Sequence, residues 1–293
     1  MFLGACQSKA IPQTATIAPQ LTATLETATS IPATPANEIT IEQIGNAKVL
    51  SPQTQKEVQL KEGKYEGGSG PDYMLVQLQP QSAIGDLNGD GKADAAVLLS
   101  ENDGGSGVFV SLVVFIANEK GFSQSTPMLV DDRPIINQLT IKNGIISLDA
   151  AIHDVNDTMV APTLKIAGNY QLYGNKIIAV GLSETSGDVK RSIQIDSPID
   201  RAQVSGTVEV KGSMPAAPFE NTLRFRFYDA SGSVLSEGSF MVKADDMGKP
   251  ATFDNVLTLP QNPGGGLIRF ELADLSAKDG SALALASVEL VLK

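Results

Sequence analysis

The sequence has no tryptophan, one cysteine and one histidine, and aromatic residues fill only 5% of its 293 positions. A lone Cys6 excludes an internal disulfide and a cysteine-rich zinc site, and a lone His153 excludes a multi-histidine metal centre. Long apolar runs are missing as well. The longest, Val108 to Ala117, is interrupted by Ser111 and is about half the roughly 20 residues that a membrane-spanning helix needs. Basic residues are outnumbered 22 to 33, and the net charge of -11 repels phosphate backbones, so nucleic acid is not an expected partner. There is no Gly-x-Ser-x-Gly elbow for a serine nucleophile. Gly85 to Lys92 fails as a phosphate loop, because five residues separate its glycines and Ala93 follows the lysine. What is present is 42% hydrophobic residues with 27 Gly and 16 Pro, the composition of a globular, turn-rich and mainly β protein. The length suits two domains or one large one.

The first residues carry an address. Leu3-Gly4-Ala5-Cys6 resembles a bacterial lipobox, in which small residues let a peptidase cut just before a cysteine that becomes lipid-modified. The resemblance implies a protein anchored outside the cytoplasm through Cys6. Only five residues precede that cysteine, so the basic and apolar parts of a signal peptide are expected upstream of Met1. The alternative is an ordinary thiol in a tail. Residues 7 to 37 are rich in Thr, Ala, Pro and Gln, with Lys9 and Glu26 as their charged residues. Such a segment buries too little surface to fold, and 1–37 is expected as lipobox remnant and tether.

Two blocks of alternating apolar and polar residues follow, separated by the Ser, Gly and charge-rich stretch Ser183 to Arg191. Residues 1 to 189 hold 11 basic and 20 acidic side chains and residues 190 to 293 hold 11 and 13, so the acidity lies before the boundary. Residues 38–182 are expected as a β-rich (α+β) domain. It opens with a helical turn Ile41 to Ile44, capped by Thr40 with Gln43 and stopped by Gly45. Strands are expected near 57–61, 73–79, 93–99, 108–116, 135–142, 145–151, 164–172 and 176–181, with Asn143-Gly144 and Gly174-Asn175 as hairpin turns. Gly-Gly-Ser-Gly, at 67 to 70 and again at 104 to 107, reads as two turns and not as a repeat.

Residues 192–293 read as a β-sandwich. Seven strands are expected there, near 192–196, 203–211, 222–229, 234–243, 251–259, 266–272 and 287–292, the immunoglobulin-like count. The motifs are specific: Ser197-Pro198, Val204-Ser205, Val208-x-Val210-x-Gly212, Phe219-Glu220-Asn221-Thr222-Leu223, Asp229-x-x-Gly232-x-Val234-Leu235, Phe253 and Lys278-Asp279-Gly280. By them the block resembles the immunoglobulin-like domain of bacterial spore-germination lipoproteins. That resemblance covers roughly a third of the chain and implies a fold and a structural or binding module, with no catalytic residue.

One motif carries chemistry. Asp86-Leu87-Asn88-Gly89-Asp90-Gly91-Lys92-Ala93-Asp94 fits the D-x-N-x-D-G-x-x-D loop that dockerins and FG-GAP repeats use for calcium. A hard cation needs six to eight oxygens, so Asp86, Asn88 and Asp90 at alternate positions, the Lys92 carbonyl and the Asp94 carboxylate form the expected ligand set, with Gly91 allowing the turn. An EF-hand would place Glu at the twelfth position, where Val97 stands inside an apolar run, so the loop feeds a strand. A single copy argues against a propeller. The alternative is a metal-free turn in which the Asp and Asn side chains cap their own backbone. His153, near Asp154, Asn156 and Asp157, is expected as a solvated loop residue, and Asp131-Asp132-Arg133 as a turn with a local ion pair.

These readings combine into a lipid-anchored envelope protein that binds or scaffolds, without catalysis, through another envelope protein or a polysaccharide. The alternative is a cell-surface hydrolase of polysaccharide or envelope polymer, which a carboxylate pair in a deep cleft of the first domain would favour.

Overall fold

A computed structural model describes residues 39–246, 248–261 and 265–293; Cys6 and the segment 1–37 lie outside them. The chain is nearly all β, as its alternation predicts. The one α-helix among the described residues, α1 (Ile41–Gly45), starts from the expected capping box: Thr40 Oγ1 accepts from the Gln43 N–H at 3.2 Å and Gln43 Oε1 accepts from the Thr40 N–H at 2.9 Å. The helix is capped by Asn46, one residue beyond the expected stop, and Gly45 is buried in its last turn.

A hairpin of β1 (Lys48–Leu50) and β2 (Glu57–Gln59) follows. The next sheet has β3 (Lys64–Gly67), β4 (Met74–Gly85), β5 (Asp94–Asn102), β6 (Phe109–Asn118) and β7 (Gly121–Gln124) in sequence order, with β8 (Met128–Asp132) paired to β6. Its two central strands are the apolar runs of the sequence, and both of their faces are buried. Ala95, Val97, Leu99 and Phe115 face one core with Ile44 and Leu60, while Ala96, Leu98, Leu112 and Val114 face another with Ile146 and Leu148. Continuous rather than alternating hydrophobicity is what two-sided burial of a period-2 strand requires.

The second of those cores is closed by β9 (Ile135–Lys142), β10 (Ile145–Ile152), β11 (Leu164–Tyr173) and β12 (Lys176–Ser186), an antiparallel meander. Its turns fall where expected, with Asn143 and Gly144 at φ 52° and 75° and Gly174 at 60°. The stretch 183–191 is a strand hairpin and not an open linker, because β12 continues to Ser186 and β13 (Val189–Arg191) folds back on it. Moreover, β12 pairs with the last strand of the chain through Gly181 with Ala286 and Leu182 with Leu285. One sheet therefore runs through both blocks, while their apolar cores stay separate.

The C-terminal block is a sandwich. One layer holds β14 (Gln194–Ser197), β16 (Thr207–Met214), β20 (Ala251–Thr258) and β19 (Lys243–Ala244); the other holds β17 (Thr222–Tyr228), β18 (Val234–Met241), β21 (Gly266–Leu275) and β22 (Ala282–Leu292), with β15 (Ala202–Val204) parallel to β22. Val210, Phe253 and Leu257 from the first layer meet Phe227, Phe270, Leu272 and Leu290 from the second. Two segments expected as single strands divide here. Residues 203–211 change sheets at Gly206 (φ 68°), and 234–243 change sheets at Val242, which accounts for nine strands among the described residues where seven were expected. The Gly212 of the sequence motif sits where a side chain would collide with the Gln194 carbonyl oxygen and the Phe253 ring.

Candidate functional site

The loop 86–94 joins β4 to β5. Gly89 and Gly91 take φ of 78° and 80°, which bends the chain tightly enough for its acidic side chains to turn inward. Asp86 accepts from the Gly89 N–H at 2.7 Å through Oδ1 and from the Gly91 N–H at 2.9 Å through Oδ2. Asn88 Oδ1 accepts from the Asp90 N–H and Asp90 Oδ1 from the Lys92 N–H, at 2.9 and 2.8 Å. These backbone bonds hold the Asp86 carboxyl below its ordinary pKa.

Asp94 stands apart from the others. Its carboxylate is completely buried at the start of β5, and its oxygens accept from the Leu87 N–H and from the Ala117 N–H of β6, each at 2.9 Å. Burial raises its pKa, the two N–H donors oppose that rise, and the negative charges of Asp90 and Asp86 add to it. The donor set is hard oxygen crowded with like charge, which is the chemistry calcium relieves. Against this, no group of three or more His, Cys, Asp or Glu side chains among the described residues is arranged to hold a metal ion. The capping bonds describe the loop that closes on its own backbone, the alternative that the sequence left open.

His153 is not the solvated loop residue the sequence suggested. Its Nδ1 lies 2.7 Å from Asp131 Oδ2, which also accepts the His153 backbone N–H at 2.6 Å, and the hydrogen bond that the ring donates to this carboxylate raises the imidazole pKa. Beside it Arg133 pairs with Asp132 at 2.6 Å, the local ion pair that was expected.

Two charged clusters escaped the sequence reading. In the first, Arg191 of β13 reaches the fully buried Asp274 of β21 at 2.7 Å, and Glu184 stands opposite Arg191 in the ladder. Burial raises Glu184 to about 7, against the pull of Arg191. In the second, Arg269 and Glu271 pair at 2.7 Å with each about 5% exposed; the Tyr228 hydroxyl donates to Glu271 at 2.9 Å and the guanidinium lies 4.0 Å from the Tyr228 ring centroid. The signal was in the strand itself. Arg269 and Glu271 alternate with the core residues Ile268, Phe270 and Leu272, so the charged face of β21 needed a cover, which Tyr228 and Tyr173 supply.

With this geometry in place, the comparisons narrow the fold. Residues 192–281 match the family described as the immunoglobulin-like domain of bacterial spore germination. Its turns are visible: Asp229 Oδ1 accepts from the Ser231 and Ser233 N–H groups between β17 and β18, and Gly280 lies at φ 74° between β21 and β22. No curated protein matches the chain.

Proposed function

We propose that this is a lipid-anchored protein of the bacterial cell envelope, outside the cytoplasm, that acts by binding or scaffolding and does no catalysis. Cys6 would carry the lipid and residues 7 to 37 would hold the β body away from the membrane, so that the mechanism is tethered presentation. The observation that carries the reading is the match of residues 192–281 to a spore-germination immunoglobulin-like domain, a module of a process at the cell envelope. Calcium belongs to the same proposal. Asp86, Asn88, Asp90, the Lys92 carbonyl and Asp94 would supply its oxygens, which the millimolar calcium outside cells makes feasible.

One observation favours a surface hydrolase instead, because Glu184 is held near neutrality as a general acid would be. It is, however, absent from the lining of five surface cavities among the described residues, the two along the seam of β12 and β22 included. The anchoring reading is tested by expressing the full-length gene and separating detergent from aqueous phases. Wild type should enter the detergent, and Cys6→Ala should be released or left unprocessed. Equal partitioning of the two would remove the anchor, since a single acyl chain holds a protein only weakly and the attachment depends on the full lipid modification.

A further inference from the structure

The two blocks share a sheet, yet β12 and β22 are joined by only the pairs Gly181 with Ala286 and Leu182 with Leu285. Where adjacent strands splay, the face between them sinks. Two cavities of about 460 and 440 Å³ lie there, each large enough for a small ligand. Both are lined by Asn169, Val180 and Ser287, so they form one trough along the seam.

We propose that this trough binds a neutral polyhydroxylated chain, a glycan, which rests on the binding role proposed above and gives it a site. The polar groups of the trough are not used up by the fold. Asn169 Oδ1 accepts from Ser147 Oγ at 2.8 Å and Gln171 Oε1 from the Tyr173 hydroxyl at 3.1 Å, which leaves both amide NH2 groups without a partner among the described residues. Arg269, only 5% exposed, borders the same space, and its buried Nε–H has no partner there either. A buried donor calls for an acceptor. The same cavity also offers acceptors, the Asp200 and Glu289 carboxylates.

Charge selects among ligands that bring both donors and acceptors. The two arginines of the wall are matched by carboxylates, Arg201 by Glu289 at 2.9 Å and Arg269 by Glu271 at 2.7 Å. An anion would therefore find no uncompensated positive charge, whereas hydroxyl groups can donate to the carboxylates and accept from the amides. Two adjoining cavities that share a wall suit a chain of linked units better than a single compact metabolite.

The test is calorimetric titration and amide-detected NMR of the full chain with cellotetraose, chitotetraose and, as the acidic arm, tetragalacturonic acid. A neutral tetrasaccharide is expected to bind and to move the side-chain signals of Asn169 and Gln171. Asn169→Ala and Gln171→Ala, with unchanged melting temperatures, are each expected to weaken binding by about tenfold, the worth of one good hydrogen-bonding group. No binding of either neutral sugar at millimolar concentration, binding indifferent to both substitutions, or binding of the acidic sugar alone would overturn the proposal. Cys6-dependent partitioning would stand through any of these, so failure of the trough is distinct from failure of the anchored reading.

Discussion

Arg191 holds the fully buried Asp274 carboxylate at 2.7 Å, and it does so from the end of the boundary stretch 183–191, which ties that stretch to the sandwich. Asp274 Oδ1 has no hydrogen-bond partner among the described residues, so the guanidinium is the main compensation for its burial. Removing one partner from a buried ion pair strands a charge. Arg191→Ala should therefore cost about 3 kcal/mol in urea unfolding, while Asp274→Asn, which removes the charge, should cost less. An unchanged urea midpoint for Arg191→Ala would show that the pair does not hold the boundary stretch to the sandwich.

Glu184, beside the same pair, makes stability depend on pH. Its folded-state pKa of about 7 lies above the ordinary 4.5, so between these values the folded chain holds a proton that the unfolded chain has lost. Stability then falls as pH rises from about 5 to 8, the reverse of a salt-bridged carboxylate. Because the side chain is partly exposed, screening reduces the effect to on the order of 1 kcal/mol. Glu184→Gln should match wild type at pH 5 and melt a few degrees higher at pH 8. Parallel melting curves across this range would place the Glu184 pKa back in the usual region.

The C-terminal sandwich draws its core from Val208 to Leu290 without a residue of the first block, which predicts that 190–293 folds alone. Separation bares the β12 side of β22 and unburies part of Asp274, so the fragment should be less stable than the intact chain. A fragment starting at Ser192 lacks Arg191 and should be weaker still. Dispersed NMR signals from 190–293, with a lower urea midpoint for 192–293, is the expected pair of results. A molten 190–293 would show that the shared sheet is needed for folding.

The sequence made the long strands legible because each buries at least one face, so hydrophobicity marks them. β5 and β6 stood out further because both of their faces are covered. The missed elements are short, such as β1, β3 and β13, and carry too few residues for a period to register. Strand switching at Gly206 and Val242 was hidden for another reason: alternation continues while the chain changes sheets. The acidic loop could be read because its chemistry is local. The Arg191 to Asp274 pair and the Asn169 trough are made by residues far apart in sequence, and nothing in either segment alone points to the other.

The loop 86–94 contains two carboxylates whose removal should give opposite answers. Asp90 is exposed and caps only Lys92 N–H, so Asp90→Ala should leave the fold intact and abolish any response to calcium. Asp94 is buried and accepts backbone N–H groups from two places, so Asp94→Ala should cost about 3 kcal/mol with or without the ion. For wild type, calcium at about ten times its Kd adds RT ln 11, roughly 1.4 kcal/mol, or a melting shift of a few degrees. Magnesium should do less, because its small octahedral shell demands stricter geometry. Thermal unfolding with calcium, with magnesium and with chelator, for wild type and both variants, separates the two roles. If wild type does not respond to calcium while Asp94→Ala still destabilises, the loop is a self-capped turn whose acidic residues serve the fold, and Asp86, Asn88 and Asp90 are not metal ligands.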